Sequence, residues 1–411
     1  MQPVSFREAR SIVEQHAALL TAVEPEPVEL LNARGRVLAE DIASDRDLPP
    51  FARATRDGFA LRAADLAQLP ARLKVVGEIR AGADASVVAA CALKSGEAVE
   101  IMTGAPAPPG ADAIVMVEYT RREGAHVVVE RGANAGDNIV PAGAEARAGA
   151  VVLTRGTRLG AQHIAVAASV GRTQLRVHRR PRVAILTTGD EVVDVAAAPG
   201  PSEIRNSNGY ALAAQVEQAG GMPVLLPIAR DELEPLRRLL QQGLSSDLLL
   251  ISGGVSMGKY DLVAKALAGL QAEFFLTGAL IQPGKPIAFG RARRQPESPP
   301  TYFFGLPGNP VSVAVTFAIF ARAALDALSG AHAQPLLFLQ ARLAADIKTK
   351  TGLTRFLPAV LSGRYEKTEV RLAPWQGSGD VVGAARANCY IVLPPDREKI
   401  AAGEMMPVLL P

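Results

Sequence analysis

The sequence predicts a multidomain protein that combines a doubly wound α/β domain with β-rich domains. The chain has 411 residues, which is more than one hydrophobic core ordinarily serves, so about two to four domains are expected. Strands and helices alternate after Pro181, whereas short β-like runs dominate the stretches before and after that region. Alternation at this pace is typical of a parallel sheet with helices on its faces.

The first half of the chain predicts a helix followed by a small β-rich domain. Ser5 and Glu8 have the spacing of a capping box, and apolar residues at helical spacing through Leu20 predict an amphipathic helix of about four turns. Between about residues 70 and 140, Gly, Pro and Asp turns separate the runs KVVGEI, AVEIM, AIVMVEY and HVVVE. A further extended patch and a short helix are expected between about 141 and 180.

The α/β region is built from three strand–helix pairs. The predicted strands are RVAILTTGDE, PVLLPIARD and DLLLISGG, and the helices are NGYALAAQVEQAG, ELEPLRRLLQQGL and YDLVAKALAGL. FFLTGAL, PIAFGRA and YFFGLPG add strands, QPESPP (295–300) forms a hairpin loop, and a helix over 311–329 closes the unit. After Gly330 the chain returns to β-like runs, which predict a small sheet or barrel.

Composition excludes several classes of function. A net charge of only +3 argues against a general nucleic-acid binder, and the apolar stretch near residue 320 is broken by Arg322 and Asp326, as in a buried helix. Cys91 and Cys389 lie far apart and suggest no disulfide framework, and the five histidines lack metal-ligand spacing. The N-terminus has no apolar signal region, so we expect a soluble, cytoplasmic protein without a membrane or nucleic-acid partner.

Polar clusters follow four of the predicted α/β strands. Ligands of doubly wound sheets bind beyond the carboxyl ends of the strands, so the convergence of these clusters predicts a site there. The clusters are TTGDE (187–191), RDE (230–232), SGGVSMGKYD (252–261) and GLPGNPVS (305–312).

SGGVSMGKYD nearly matches a P-loop, but Tyr260 stands where a hydroxyl should hold magnesium. Its glycines allow either a phosphate cradle or only a tight turn with positive φ. Asp261 would repel a phosphate beside it unless a divalent cation lay between them, and a solvated surface position is the alternative.

GLPGNPVS and QPGKP supply candidate anion contacts. Asn309 and Pro310 suit the first positions of a helix, and the Ser312 hydroxyl would face an anion in the cleft; an ordinary capped helix explains Asn and Pro equally well. Lys285 lies in a proline-stiffened loop, either as a cation for a ligand or as a solvated turn residue. Together with the glycines and the lysine, three carboxylates suggest a metal-bridged phosphate site: Glu191, Asp231 and Asp261.

The combination of runs resembles the MoeA family of molybdopterin molybdenumtransferases, which is related to the E domain of gephyrin-type proteins. The matching runs occur in family order: PPFARATRDGFAL, IMTGAPAPPGADAIVMVE, AILTTGDEV, IRNSNGYAL, ISGGVSMGKYDLV, PGKPIAFG, GLPGNPVSV and ARANCYIVLP. The resemblance implies a split helical and extended N-terminal domain (1–45 and 142–180), a β-rich inserted domain (46–141), a molybdopterin-binding α/β domain (181–329) and a C-terminal β-barrel-like domain (330–411).

The resemblance also implies a molybdenum insertase that joins molybdate to adenylyl-molybdopterin and releases AMP in the presence of Mg²⁺. It implies a homodimer, and it suggests molybdopterin adenylyltransferase and molybdoenzyme-maturation factors as partners. Alternatives are a paralogue specialised for tungstate, a non-catalytic pterin carrier or scaffold, and a P-loop ATPase that uses Lys259. A related enzyme, the pterin adenylyltransferase, shares the central α/β domain. That function would leave the β-rich and C-terminal domains unexplained.

Site roles follow from the same resemblance. It places Glu191, Asp231 and Asp261 at the magnesium-dependent step and Asp57 and Thr103 among the catalytic residues. The implied substrate contacts are Gly253, Gly254 and Ser256 along the phosphate, Lys285, Ser312 and Ser378 on the molybdate side, and Pro307 and Pro310 in the cleft wall.

The chain departs from the family pattern at several positions. Gln282 stands where Lys is frequent, and Leu353 where Arg is frequent, with Arg355 shifted by two places. Phe59 replaces a usual tyrosine, and Lys259 a common acidic residue. The first two departures imply fewer positive charges around the oxyanion.

Overall fold

The computed structural model describes residues 2–254, 262–365 and 367–411. The chain divides into two compact units. One consists of Asp41–Arg155 and Ala161–Thr173, and the other of Met1–Glu40, Gly156–Gly160 and Gln174–Pro411. The division into four domains at the predicted boundaries stays a prediction.

The N-terminal segment forms the expected amphipathic helix, α1 (Phe6–Ala17), followed by strand β1 (Pro25–Glu29). Ser5 caps the helix, and its Oγ accepts a hydrogen bond of 3.2 Å from the backbone N–H of Glu8. The helix ends before Leu20 and has 12 residues, so the expected four turns are slightly too many.

The unit that contains residues 41–155 is built on a mixed β-sheet. Its sheet has the strand order β7-β4-β6-β5-β9-β8, and all neighbours are antiparallel except β5 and β6. The expected β-rich character is therefore confirmed. The elements here and up to the α/β region are β2 (Ile42–Ala43), β3 (Arg53–Ala54), β4 (Gly58–Leu61), β5 (Ala71–Ile79), α2 (Ala85–Ala90), β6 (Glu97–Ile101), β7 (Ala113–Met116), β8 (Thr120–Glu123), β9 (His126–Val129), β10 (Ile139–Val140), β11 (Val151–Leu153), α3 (Ala161–Ser169) and β12 (Gln174–His178).

The α/β region contains a six-stranded sheet with the order β16-β13-β17-β21-β20-β18. The first four strands of this order are parallel, and β20 and β18 are antiparallel additions, so the sheet is mixed at one edge. The elements are β13 (Arg182–Thr187), β14 (Val192–Val193), β15 (Ile204–Arg205), α4 (Ser207–Gln218), β16 (Met222–Leu225), α5 (Leu233–Gly243), β17 (Leu248–Ser252), α6 (Leu262–Ala268), β18 (Glu273–Thr277), β19 (Ile281–Gln282), β20 (Ala288–Ala292), β21 (Thr301–Leu306), α7 (Pro310–Thr316) and α8 (Arg322–Leu328).

Helices cover both faces of this sheet, as a doubly wound fold requires. Along β13, Val183 and Ile185 join the core formed with α1, α4, α7 and α8, whereas Ala184 and Leu186 join the core formed with α5 and α6. The strand residues are apolar on both faces because both faces are buried.

The predicted helix over 311–329 is present as α7, a π-helical turn at Phe317–Ala321, and α8. By length and composition, Pro310–Leu328 is apolar enough to cross a membrane, but 67% of its apolar 18-residue stretch is buried inside the protein. It therefore occupies the position of a core helix.

The C-terminal region forms the expected closed β-barrel. Its sheet has the order β19-β24-β25-β22-β28-β26, and a further pairing of β26 with β24 closes the ring. Phe356, Ala359, Ile391 and Val408 are among its fully buried residues. The elements are β22 (Phe338–Leu343), β23 (Ile347–Lys348), β24 (Thr354–Arg364), β25 (Lys367–Leu372), α9 (Val381–Ala385), β26 (Cys389–Leu393), β27 (Lys399–Ile400) and β28 (Met405–Leu409).

Candidate functional site

The described residues of the four polar clusters lie together beyond the carboxyl ends of the α/β strands. Strand register places Thr187 beside Ser252, and Ser252 beside Leu306, so three parallel strands end at the same level. The cluster RDE (230–232) directly follows Ala229, whose backbone N–H donates to Thr187 O at 2.9 Å and so holds this loop beside the end of β13. The predicted convergence at the carboxyl ends of the strands is therefore present.

A cavity of about 250 Å³ opens at this edge. Six of the predicted site residues line it: Glu191, Asp231, Gly253, Gly254, Pro307 and Pro310. The remaining lining residues are Thr187, Thr188, Gly189, Val192, Ile204, Arg205, Asn206, Ser207, Asn208, Ser252, Pro286 and Gly308.

Gly253 and Gly254 form a turn that only glycine suits. Their φ angles are +92° and +63°, and a Cβ at Gly253 would lie 2.7 Å from Thr188 O. The Gly253 N–H already donates to Leu306 O at 3.2 Å. The absence of a side chain at Gly253 thus lets its backbone pack closely against Thr188, while its N–H joins the ends of β17 and β21.

Asp231 lies in an electronegative part of the cavity. Burial, followed by the charges of Asp190 and Glu191, raises the pKa of the Asp231 carboxyl. Its backbone N–H donates to Asp190 Oδ1 at 3.1 Å, which holds the two acidic loops together. Crowding of like charges is the condition that a bound cation relieves.

Two asparagines that the sequence interpretation did not assign to the site lie in the cavity wall. Asn206 caps α4, where its Oδ1 accepts from Gly209 N at 2.9 Å and from Thr187 Oγ1 at 3.1 Å. Asn208 Nδ2 donates to Gly308 O at 2.6 Å and to Ser252 Oγ at 3.0 Å, so the amide joins two strand ends. The signal for both was RNSNG, a run with capping residues directly after a strand.

Two buried polar atoms of the cavity wall have no hydrogen-bond partner among the residues that the structure describes. They are Thr188 Oγ1 and Asn208 Oδ1, on residues that are 4% and 9% exposed. Because Gly308 O can only accept, Asn208 must turn its amide nitrogen toward it, which leaves Oδ1 as the free acceptor.

The residues implied on the molybdate side are not in the cavity lining, but Lys285 and Ser312 are close in the chain to prolines that are. Pro286 and Pro310 are in the lining, and they directly neighbour Lys285 and Asn309. Lys285 is exposed, whereas Ser312 is only 3% exposed. A Cβ at Gly284 would lie 3.8 Å from Ser312 O, so the lysine loop packs on α7.

Ser378 is held against the start of α7. Its Oγ accepts from Asn309 Nδ2 at 2.9 Å, and its carbonyl accepts from Val311 N at 3.0 Å. Asn309 occupies the N-cap position as expected, but its side chain bonds to Ser378 instead of capping the helix.

Asp57 and Thr103 are bonded to each other in the β-rich unit. Asp57 Oδ1 accepts from Thr103 N at 2.6 Å and from Thr103 Oγ1 at 2.9 Å. These two hydrogen bonds hold the pKa of the Asp57 carboxyl below its ordinary value.

Ser256, Asp261 and Lys259 lie outside the described residues, and so the predictions for them stay predictions. Within residues 2–254, 262–365 and 367–411, no group of three His, Cys, Asp or Glu side chains is placed to hold a metal ion. Of the predicted magnesium carboxylates, the described part of the chain supplies Glu191 and Asp231.

Comparison with known families matches most of the chain. Residues 4–171 match the MoeA N-terminal region (domain I and II), residues 184–327 match the probable molybdopterin binding domain, and residues 340–410 match the MoeA C-terminal region (domain IV).

Relatives and a solved structure agree with these matches. The chain is 35% identical to the molybdopterin molybdenumtransferase of a Nostoc species, over 94% of this chain and 88% of the relative. It is 33% identical to the Bacillus subtilis molybdopterin molybdenumtransferase, over 94% of this chain and 90% of the relative. The crystal structure of a molybdopterin biosynthesis moeA protein from Pyrococcus horikoshii aligns with a TM-score of 0.78 and 30% identity, covering 100% of both chains. The chain therefore belongs to the MoeA family, the transferase enzymes named molybdopterin molybdenumtransferases.

Proposed function

We propose that this chain is a molybdenum insertase that joins molybdate to adenylyl-molybdopterin, with magnesium-dependent release of AMP. The observation that carries the proposal is the cavity at the sheet edge, where carboxylates, a glycine turn and a proline-rich wall converge. The family relationship supports the transfer of molybdenum to molybdopterin. The adenylylated substrate and the magnesium ion are the finer parts of the proposal.

The donor set fits magnesium. Glu191 and Asp231 offer the carboxylate oxygens that this ion prefers, and the pKa of Asp231 is raised by burial and then by the charges of Asp190 and Glu191. Magnesium held there would neutralise charge on the departing AMP phosphate. Asp261 is the proposed third carboxylate.

Lys285 and two hydroxyls are proposed to bind molybdate, which is a tetrahedral dianion. Lys285 offers an exposed ammonium, and charge-assisted hydrogen bonds to oxyanions are among the stronger ones. Ser378 accepts from Asn309 with its oxygen, and its own O–H stays available to donate. Ser312 is proposed as the second hydroxyl, on the helix against which the lysine loop packs.

The first test measures AMP release from adenylyl-molybdopterin by the purified protein. We expect release when molybdate and magnesium are both supplied, and little release when either is omitted. Asp231→Asn should abolish most of it, whereas Glu234→Gln, an exposed carboxylate on α5, should leave it unchanged. A folded wild-type protein that releases no AMP under any condition would contradict the proposal and favour a pterin carrier or scaffold.

We further propose that the active form is a homodimer in which Asp57 and Thr103 of one copy serve the cavity of the other. Asp57 and Asp231 belong to different compact units of the chain, and each can be replaced while the other is retained. Mixing inactive Asp57→Asn and inactive Asp231→Asn proteins should restore activity after subunit exchange. Mass measurement must confirm the mixed dimer, and an inactive mixed dimer would contradict the proposal. The cytoplasmic location and the adenylyltransferase and maturation partners stay predictions.

Tungstate is the second candidate oxyanion. The observation that favours it is the neutral Gln282 side chain, which stands where a lysine is frequent in the family and whose Oε1 accepts from Arg355 Nε at 2.8 Å. Cofactor yield across matched molybdate and tungstate series decides between the two. Preference for molybdate at every concentration would remove the tungstate candidate.

A further inference from the structure

We infer that the hydroxyl of Thr188 donates a hydrogen bond to a phosphate oxygen of the bound adenylyl-molybdopterin. This inference rests on the proposed function. It assigns a substrate-binding role to Thr188, a member of the TTGDE cluster for which the sequence predicted no individual role. Thr187, the last residue of β13, and Thr188, which follows it, differ in how their hydroxyls are satisfied.

Thr187 and Thr188 are equally buried, at 4% exposure each. Thr187 Oγ1 donates to Asn206 Oδ1 at 3.1 Å, so its hydroxyl is satisfied inside the protein. Thr188 Oγ1 has no partner within the described part of the chain, although its backbone N–H donates to Ser252 O at 2.9 Å. Leaving a buried hydroxyl without a partner is unfavourable, by about 1 to 3 kcal/mol for a typical polar group.

The unpartnered hydroxyl lies against the glycine turn. A Cβ at Gly254 would lie 2.8 Å from Thr188 Oγ1, and a Cβ at Gly253 would lie 3.1 Å from it. Thr188, Gly253 and Gly254 all line the same cavity. The hydroxyl is therefore buried directly against the bare face of the turn, on a residue that lines the cavity.

Within the described part of the turn, the backbone N–H of Gly253 is not available to a phosphate. The Gly253 N–H is already used by Leu306 O, and the free atom of Asn208 is an acceptor, which would repel a phosphate oxygen. A threonine hydroxyl can donate to an anionic oxygen, and such charge-assisted bonds are short and strong. Among these groups, Thr188 is therefore the one suited to the phosphate, and the Asn208 oxygen is suited to an N–H or O–H of the same ligand.

The test uses Thr188→Val, which removes only the hydroxyl and retains the branched shape, with Thr187→Val as the matched control. Without ligand, Thr188→Val should keep or raise the midpoint of thermal unfolding, because it deletes an unsatisfied buried group. Thr187→Val should lower the midpoint by about 2 °C, because it breaks a satisfied hydrogen bond. Equal losses in the two variants would overturn the inference, since they would show that Thr188 has an internal partner.

Binding of adenylyl-molybdopterin is then measured by pterin fluorescence, without molybdate. Thr188→Val should bind about tenfold more weakly than wild type, and Thr188→Ser, which restores the hydroxyl, should bind like wild type. Inorganic pyrophosphate should compete less effectively in Thr188→Val if the lost contact is to phosphate. Unchanged substrate binding or unchanged pyrophosphate competition would overturn the inference.

The outcomes separate this inference from the proposed function. Wild-type protein that binds the substrate but releases no AMP would contradict the proposed function alone. Wild-type protein that releases AMP while Thr188→Val binds normally would contradict the role of Thr188 alone. Wild-type protein that does not bind the substrate would contradict both.

Discussion

Arg355 and Gln282, which both stand at or near positions where the chain departs from the family pattern, are hydrogen-bonded to each other. The Nε of Arg355 donates to Gln282 Oε1 at 2.8 Å, and the two residues are paired neighbours on strands β24 and β19. Arg355 is 7% exposed and also donates to Leu353 O at 3.1 Å. The guanidinium is thereby fixed on protein oxygens, and burial lowers its pKa.

The effect of a substitution at Gln282 on the free energy of unfolding should therefore depend on the charge of the new side chain. Gln282→Lys places a second cation beside a buried guanidinium, and we expect it to lower the free energy of unfolding by about 1 kcal/mol. Gln282→Glu supplies a partner for the guanidinium and should keep or raise stability. Urea unfolding of the two variants checks the sign, and equal effects would contradict a direct contact.

Asp231 should respond to magnesium. Its raised pKa means that its contribution to stability is present below the ordinary value of 3.8 and is lost as pH rises through the higher folded pKa. At neutral pH without magnesium, Asp231→Asn should therefore be at least as stable as wild type. Magnesium should raise the unfolding midpoint of wild type but not of Asp231→Asn. Equal stabilisation of both proteins by magnesium would contradict metal binding at this carboxylate.

Thr103 should control the ionisation of Asp57. The lowered pKa of Asp57 gives stability that is present above the ordinary value of 3.8 and is lost as pH falls through the folded pKa. Thr103→Val removes the side-chain donor and should raise the pKa of Asp57, whereas Thr103→Ser should preserve it. Carboxyl NMR titration measures both values. An unchanged pKa in Thr103→Val would show that the hydroxyl bond is unimportant in solution.

The glycine turn at the cavity should tolerate no side chain. Gly253→Ala combines a φ of +92° with a Cβ that would lie 2.7 Å from Thr188 O, so we expect a loss of roughly 3 kcal/mol or more. Gly352 has nearly the same backbone conformation, with a φ of +94°, but nothing lies within 4 Å of its Cβ position. Gly352→Ala should thus lose only about 1 kcal/mol. Chemical denaturation compares the two, and similar losses would contradict crowding at Gly253.

The sequence predicted features that depend on local pattern. The strand ends that carry Glu191, Gly253 and Pro307 were identified because strand–helix alternation fixes where each parallel strand stops. The N-cap position of Asn309 was predicted for the same reason, since capping depends on adjacent residues.

Contacts between distant parts of the chain were beyond that reasoning. Asn309 bonds to Ser378, 69 residues away, and Asn208 bonds to Gly308, 100 residues away. Such pairs depend on how whole strands align. The proposed role of Thr188 could not be predicted from the sequence, because Thr187 and Thr188 are the same residue type. Only the position of Asn206, which bonds to Thr187, distinguishes the two hydroxyls.

We propose that this chain couples loss of AMP from the adenylylated pterin to gain of molybdenum by the pterin. The most direct measurement determines both products in one single-turnover reaction of the wild-type protein with molybdate and magnesium. We predict that molybdenum bound to pterin and AMP released appear together and in equal amounts. AMP released without molybdenum transfer, or molybdenum transfer without AMP, would contradict the claim.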